Sequence, residues 1–168
     1  MGWQFFAFWS VTRAQNWQQK FKGEFAQVDI LGHRRYFIIP HTFMNLSGES
    51  VQPLMAFFKL TAESLVVFHD ELDLPVGQLE FKVGGGLAGH NGLKSIAQHL
   101  GTQDFMRVRI GIGRPAVGSV SDWVLSDFTT DEKIARDRVF SVLENAMKEW
   151  TEHNNFSQLQ TTYNKKFL

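Results

Sequence analysis

The sequence contains no cysteine, so its fold cannot depend on disulfide bonds, and this is compatible with a reducing compartment. Its 17 basic and 17 acidic residues give a formal net charge of zero, which excludes attraction of a polyanion by the protein's overall field. A polyanionic partner would therefore need a local basic patch. No apolar run approaches the ~20 residues that a membrane span needs, so we expect a soluble protein without a membrane partner. Its 168 residues suit one domain, over 1–168.

Hydrophobic periodicity predicts alternating helices and strands, which is typical of an α/β fold. We expect a single domain with a mixed β-sheet flanked by helices. The predicted strands cover 25–31 and 35–39, joined as a hairpin through Gly32 and His33, then 65–69, 79–83 and 106–112. The predicted helices cover 3–18, a segment capped by Ser47 or Ser50 with Pro53 in its first turn, a segment ending at Leu100, 131–151, and a short tail from Phe156.

Polar residues gather in the stretch 68–96. His69 and Asp70 end a predicted strand, Asp73 follows them, and His90 precedes a predicted helix. Side chains at strand ends of an α/β sheet can share a crevice, so a common polar site is one interpretation. A zinc site is the alternative, but the spacing matches no recognised ligand pattern and we expect no metal.

A glycine cluster precedes that helix, at Gly84, Gly85, Gly86, Gly89 and Gly92. Glycines let the backbone turn sharply and approach a ligand such as a phosphate, although a tight strand-to-helix connection explains them equally well. Asn91 within the cluster either caps the helix or offers its amide to a ligand.

Phe43 and Met44 stand beside Asn45 at the end of an apolar strand. Such residues are normally core, but an aromatic ring can stack on a base and a methionine can line an adaptable pocket. Four cations could form the local basic patch or be ordinary solvated charges: Lys82, Lys94, Arg107 and Arg109. The two arginines alternate with apolar residues, as they would in a strand with one face in water.

Gly111, Gly113 and Ala116 follow a strand in a pattern similar to a dinucleotide-binding fingerprint. Pro115 and Gly118 make a poor helix start, so the pattern does not favour a nicotinamide enzyme.

Three segments together resemble the bacterial peptidyl-tRNA hydrolase family in order and spacing: HTFMNLSGESV, HDELDLPVGQLEFKVGGGLAGHNGLKSI and FMRVRIGIGRP. The resemblance implies a monomeric, cytoplasmic α/β enzyme that uses no cofactor. It implies cleavage of the ester between a peptide and the 3′-terminal ribose of tRNA, which recycles peptidyl-tRNA released from ribosomes.

The resemblance also implies a catalytic set. Asp70 would orient and charge-stabilise a catalytic histidine, while Asn45 and Asn91 would bind the substrate, with His90 nearby. Ester hydrolysis needs a base, an anion that favours the imidazolium, and donors for the developing oxyanion. Asp70 and the two asparagine amides would meet the second and third of these needs.

By the same resemblance, Phe43 and Asn45 would contact the tRNA 3′ end, and Met44 would shape the pocket. Lys82 and Arg109 would grip phosphates of the acceptor arm. Glu80 departs from the family, which often has a basic residue at this position.

In the family, the first strand and the catalytic histidine precede the position of Met1. We therefore interpret the sequence as an N-terminally truncated hydrolase whose fold lacks that strand. One alternative is a non-catalytic relative that binds tRNA or another RNA. Another is a hydrolase in which His41, His69 or His90 has become the base.

We predict that the 168-residue chain hydrolyses N-acetylaminoacyl-tRNA far more slowly than a chain extended by the family's first strand and histidine. The reason is that general-base catalysis tolerates little displacement of the base. Release of the N-acetylamino acid measures both rates under the same conditions. Equal rates would show that the base lies within the present sequence.

Overall fold

The computed structural model describes residues 2–9, 15–115 and 117–166. Its helices are α1 (Gly2–Phe8), α2 (Gly48–Phe57), α3 (Asn91–Leu100), α4 (Val120–Leu125), α5 (Thr130–His153) and α6 (Phe156–Tyr163). Its strands are β1 (Gln18–Lys20), β2 (Gly23–Ile30), β3 (His33–Pro40), β4 (Val66–Glu71), β5 (Gln78–Val83), β6 (Met106–Gly111) and β7 (Lys165–Lys166). Short 3₁₀ helices occupy Met44–Leu46 and Ala62–Ser64. Within these ranges no helix combines the length and apolarity needed to cross a membrane.

The chain divides into two compact units. The sheet unit comprises the described residues of Met1–Trp9, Val67–Lys82 and Arg107–Leu168. The hairpin unit comprises those of Ser10–Val66 and Val83–Met106. The single domain over 1–168 stays a prediction.

The sheet unit is built on four strands in the order β4-β6-β5-β7. β7 pairs antiparallel with β5, so that Gln78 lies opposite Lys166 and Leu79 opposite Lys165. The strands expected over 65–69, 79–83 and 106–112 are thereby confirmed. Because β6 lies between β4 and β5, side chains from these three strands adjoin on each face of the sheet.

Aromatic rings pack helices onto this sheet. Phe5 of α1 stacks on Phe68 of β4 with 5.5 Å between ring centroids, and it meets Phe140 of α5 edge-on at 5.6 Å. Phe81 of β5 meets Phe156 of α6 edge-on at 5.5 Å. Burying one such side chain stabilises the fold by roughly 1.5–3 kcal/mol, so these rings hold α1, α5 and α6 against the strands.

The helix predicted over 3–18 is confirmed only at its start. α1 ends at Phe8, residues 15–17 are not helical, and 10–14 lie outside the described residues. Gln18–Lys20 instead form β1, which pairs with β2. The Lys20 ammonium lies 4.1 Å from the ring centroid of Phe57, a cation–π contact that hydrophobic periodicity does not reveal.

The hairpin unit contains the antiparallel sheet β1-β2-β3, and the predicted hairpin is confirmed as β2–β3. Its two-residue turn is Leu31–Gly32, both with positive φ, and Ile30 pairs with His33. Such turns match the twist of the strands that they join. The connection therefore lies one residue earlier than expected.

Helices α2 and α3 pack closely at Gly48. The Gly48 N–H donates to Ser95 Oγ at 3.0 Å, and a Cβ at this position would collide with the Ser95 carbonyl and the His99 ring. α2 follows Ser47, whose side chain makes no capping hydrogen bond, so Ser47 does not act as the expected cap. Pro53 is the sixth residue of α2 and lies beyond the first turn, where it would fit best. Pro53 is exposed, and on that side water can replace the hydrogen bond that proline cannot donate.

The helices expected over 131–151 and after Phe156 are confirmed as α5 and α6. A reciprocal cap fixes the start of α5. Thr129 Oγ1 accepts from the Glu132 N–H at 3.3 Å, and the Glu132 carboxylate accepts from the Thr129 N–H at 2.8 Å. The sequence did not predict α4 or β7, because six and two residues are too short for a periodic signal.

Replacing Asn164 with alanine should lower the free energy of unfolding by about 1–3 kcal/mol. The Asn164 Oδ1 accepts from the N–H of buried Phe81 at 2.6 Å, and its Nδ2 donates to the Phe81 carbonyl at 3.1 Å. Urea unfolding measures the change. Asn145→Ala, at an exposed position of α5, is the control and should shift stability by no more than about 0.5 kcal/mol. Equal effects of the two substitutions would show that the hydrogen bonds between Asn164 and the Phe81 backbone do not stabilise the fold.

Candidate active site

An exposed apolar pair follows β3. Phe43 is 80% exposed and Met44 is 52% exposed, and Asn45 beside them is also exposed. Their backbone is fixed, because Leu46 N–H donates to the Phe43 carbonyl at 2.8 Å and Ser47 Oγ donates to the Met44 carbonyl at 2.9 Å. The interpretation of Phe43 and Met44 as core is wrong. Exposed apolar side chains on a fixed backbone indicate a surface that meets another molecule.

His90 caps helix α3. Its Nδ1 accepts hydrogen bonds from the N–H groups of Gly92 and Leu93, at 3.1 and 3.3 Å. Asn91 is therefore the first residue within the helix, where it is exposed, and the alternative in which Asn91 serves as the cap is wrong. An accepting Nδ1 places the proton of the neutral ring on Nε2, so His90 offers a donor there.

Met44 lies against the start of α3. A Cβ on Gly92 would come within 2.7 Å of Met44 Sδ and 3.0 Å of His90 Cε1, so glycine is what lets the methionine approach. The 3₁₀ helix Met44–Leu46 and α3 are thus in contact. The hairpin unit thereby brings the segment containing Asn45 to the helix end that presents Asn91.

The glycine loop between β5 and α3 adopts left-handed backbone conformations. Positive φ values occur at Gly84 (58°), Gly85 (77°) and Gly89 (76°). Side-chain-bearing residues rarely adopt these conformations, which explains the glycines at these positions by chain geometry. The approach of this loop to a ligand stays a prediction.

Asp70 lies near the end of β4 in the sheet unit and is half-buried. The neighbouring His69 is buried, and its Nδ1 lies 2.9 Å from the Asp70 carbonyl. Asp73 is exposed and accepts from Arg114 Nη2 at 2.7 Å. Asp70 and His69 belong to the sheet unit and His90 to the hairpin unit, and the common polar site stays a prediction.

Arg107 and Arg109 are not solvated charges, and the wet face predicted for β6 is wrong. Arg107 is 2% exposed. The Arg109 side chain is 14% exposed, and its Nη2 lies 2.9 Å from Glu71 Oε2 while its Nη1 lies 2.6 Å from Glu80 Oε2. Glu71 and Glu80 come from β4 and β5, the two neighbours of β6. The alternation of charged and apolar residues reflects carboxylates on adjoining strands instead of water.

Within this charge cluster, the pKa values of the two arginines shift in opposite directions. Burial lowers the pKa of Arg107, and the adjacent positive charge of Arg109 lowers it further. Burial alone would also lower the pKa of Arg109, but its hydrogen bonds and charge interactions with Glu71 and Glu80 outweigh burial and raise that pKa. Opposite charges at alternate positions of neighbouring strands are a sequence signal that could have indicated Glu71 and Glu80 as partners of Arg109.

The remaining basic residues are divided between the units. Lys82 is half-buried at the end of β5 in the sheet unit, whereas Lys94 is exposed on α3 in the hairpin unit. Among the described residues no group of three histidine, aspartate or glutamate side chains is placed to hold a metal ion. Gly111 of the dinucleotide-like pattern has a structural reason, because a Cβ there would collide with the Pro75 carbonyl. Ala116 of that pattern lies outside the described residues.

Residues 4–167 match the family model described as peptidyl-tRNA hydrolase. The chain is 49% identical over 145 residues to a peptidyl-tRNA hydrolase of Sorangium cellulosum, a match that covers 82% of this chain and 65% of the relative. It is 44% identical over 148 residues to that of Staphylococcus haemolyticus, covering 88% of this chain and 78% of the relative. The crystal structure of peptidyl-tRNA hydrolase from Acinetobacter baumannii superposes with a TM-score of 0.87 at 30% identity, covering 98% of this chain and 85% of that one.

The chain belongs to the peptidyl-tRNA hydrolase family. The predicted family and α/β fold class are confirmed, and so, at the level of the family, is the prediction of a hydrolase. Residue roles are not tested by these matches and stay predictions.

Replacing His90 with alanine should destabilise the protein by about 1 kcal/mol, because two backbone N–H groups lose their acceptor. His90→Asn should retain most of the stability, since asparagine is a strong N-cap. Urea unfolding of both variants measures this, with Lys94→Ala on the exposed side of the same helix as the control. If alanine and asparagine destabilise the protein equally, His90 does not act through its cap.

Proposed function

We propose that the residues of this chain bind and orient peptidyl-tRNA for hydrolysis of the ester that links the peptide to the terminal ribose, with a family histidine outside these residues as the general base. The observation that carries the proposal is the contact between Met44, of the exposed Phe43–Met44 pair, and the capped start of α3. This contact places an apolar surface suitable for a terminal base beside the elements that carry Asn45 and Asn91.

The two asparagines supply the proposed polar contacts. Each carboxamide carries two N–H donors and a carbonyl acceptor, so Asn45 and Asn91 can bind the peptide or ribose and stabilise the oxyanion that develops at the ester carbon. His90 is proposed to position Asn91 through the cap. Because His90 Nδ1 accepts from the backbone, His90 is suited to donate a hydrogen bond and not to remove a proton.

Asp70 is proposed as the anion that orients the general base. The resemblance assigns that base to a histidine whose position in the family precedes Met1. Water attacks the ester carbon as the histidine removes its proton, and the tRNA ribose oxygen leaves with the bonding electron pair and takes up a proton. Asp70 favours the imidazolium that forms on the way.

Lys82 and Arg109 are the proposed phosphate contacts. Cations that contact the RNA backbone set affinity and orientation without reading sequence, which suits an enzyme that accepts many tRNAs. The region of tRNA that these cations are proposed to contact is the acceptor arm. The resemblance further implies that the protein is a monomer and acts in the cytoplasm, where peptidyl-tRNA arises.

In a form with measurable hydrolysis, Asp70→Asn should lower kcat by about 100-fold or more while Kd for tRNA changes little. Lys82→Ala should mainly raise Kd and flatten its salt dependence by about one unit of log–log slope. Single-turnover hydrolysis of N-acetylaminoacyl-tRNA and filter binding of deacylated tRNA separate the two effects. The matched control is Lys133→Ala, at an exposed position of α5.

The reversed pattern, with binding lost in Asp70→Asn and turnover lost in Lys82→Ala, would refute both roles. Binding of tRNA without any hydrolysis would favour the non-catalytic RNA-binding alternative.

A further inference from the structure

Two carboxylates hold Arg109, and they hold it unequally. The Glu71 side chain is 6% exposed, and its Oε2 accepts from Arg109 Nε at 3.0 Å and lies 2.9 Å from Nη2. Its Oε1 accepts the Asp73 N–H at 3.1 Å, which fixes the carboxylate in place. The Glu80 side chain is 27% exposed and accepts from Nη1 at 2.6 Å. Glu80 is therefore the partner that can be displaced without exposing a buried charge.

Glu80 also lies next to the second proposed phosphate contact. Glu80 and Lys82 are two residues apart on β5, so their side chains share one face of the strand, about 7 Å apart. β5 adjoins β6, which carries Arg109. An anion bound at Nη1 of Arg109 would then be close enough for the Lys82 ammonium to attract it as well.

We infer that Glu80 is an internal counter-anion that occupies the outer edge of Arg109 in the free protein and is displaced by a phosphate oxygen of the RNA backbone. This inference rests on the proposed function and identifies Glu80 as the residue that sets the affinity of its phosphate site. Glu71 keeps the arginine in place throughout. Glu80 is a positioning residue here and takes no part in bond cleavage.

The exchange has a measurable consequence for salt dependence. A protein cation that neutralises an RNA phosphate releases a salt cation condensed on the RNA, and each such contact steepens the dependence of log K on log salt by roughly 0.9. Arg109 already contacts the Glu80 carboxylate as well as Glu71, so binding a phosphate at Nη1 exchanges the Glu80 carboxylate for the phosphate and adds little net neutralisation of the RNA. The bound phosphate also repels the displaced carboxylate. Both effects weaken binding and flatten its salt dependence.

Glu80→Gln should therefore bind deacylated tRNA about 10-fold more tightly at low salt and steepen the log–log salt slope by about one unit. Filter binding over a salt series measures both quantities. Glu152→Gln makes the same change in charge at an exposed position of α5 and is the matched control. In an Arg109→Gln background, Glu80→Gln should lose most of its effect, because the arginine that it releases is absent.

Equal affinity and slope for Glu80→Gln and Glu152→Gln would overturn the inference, as would an undiminished effect in the Arg109→Gln background. Glu80→Asp keeps the charge but shortens the side chain, so it should give a smaller change in the same direction and serves if Glu80→Gln does not fold. If Glu80→Gln binds inorganic phosphate but has the same affinity for tRNA as the wild-type chain, the site would be one for free phosphate. That result would refute the contact with RNA.

The same experiment separates this inference from the proposed function. If the wild-type chain binds tRNA and Glu80→Gln does not alter binding, only the role of Glu80 fails. If neither the wild-type chain nor Glu80→Gln binds tRNA at low salt, the proposed function fails and the inference fails with it. Tight binding by Glu80→Gln alone supports the displaced counter-anion.

Discussion

The arrangement of the sheet unit depends on neutralising two arginines on an interior strand. Arg107 and Arg109 occupy alternate positions of β6, where an unpaired charge would cost several kcal/mol. Glu71 and Glu80 of the neighbouring strands pair with Arg109, and their charges also favour the charged form of Arg107. This pairing also fixes residues of functional interest, because Asp70 directly precedes Glu71 and Lys82 is two residues beyond Glu80. Electrostatic pairing across three strands thus sets the register in which the proposed anion and cation are presented.

Most of the helices and strands could be predicted from the sequence, but not the side chains or solvent that their residues face. Alternation identified β6 correctly, yet the same alternation arises whether the polar side chains face water or carboxylates on adjoining strands, so Arg107 and Arg109 were placed wrongly in solvent. The sequence offers two adjacent residues that can cap the start of α3, and a shift of one residue decides whether His90 or Asn91 is the cap. Pro53 shows a local rule overridden by its exposed position. The surroundings of β6 and of Pro53 depend on tertiary structure, which a single sequence does not encode locally, whereas the cap of α3 was a choice between two adjacent residues.

The residues of the candidate site could be identified from the sequence, but the reason why they are accessible could not. Phe43, Met44 and Asn45 were identified from their resemblance to a family motif, and the structure adds why they are accessible: backbone hydrogen bonds hold the segment while its side chains stay exposed. Such exposure forgoes the stabilisation that burial of a phenylalanine gives, about 1.5–3 kcal/mol. A fold retains an unfavourable surface of this kind where the surface has a use, which is the physical basis for placing the terminal base of tRNA there.

The pairing of Asn164 with Phe81 has a consequence for solubility. Sheet edges with free N–H and C=O groups can recruit strands from other molecules. Along β5, the two residues of β7 pair with Gln78 and Leu79, and the Asn164 carboxamide then occupies the N–H and carbonyl of Phe81 in the manner of one more strand residue. The end of the chain therefore shields this edge. Proteolytic removal of the segment from Asn164 onward would expose several adjacent backbone groups and favour intermolecular β-pairing, so self-association would rise with protein concentration.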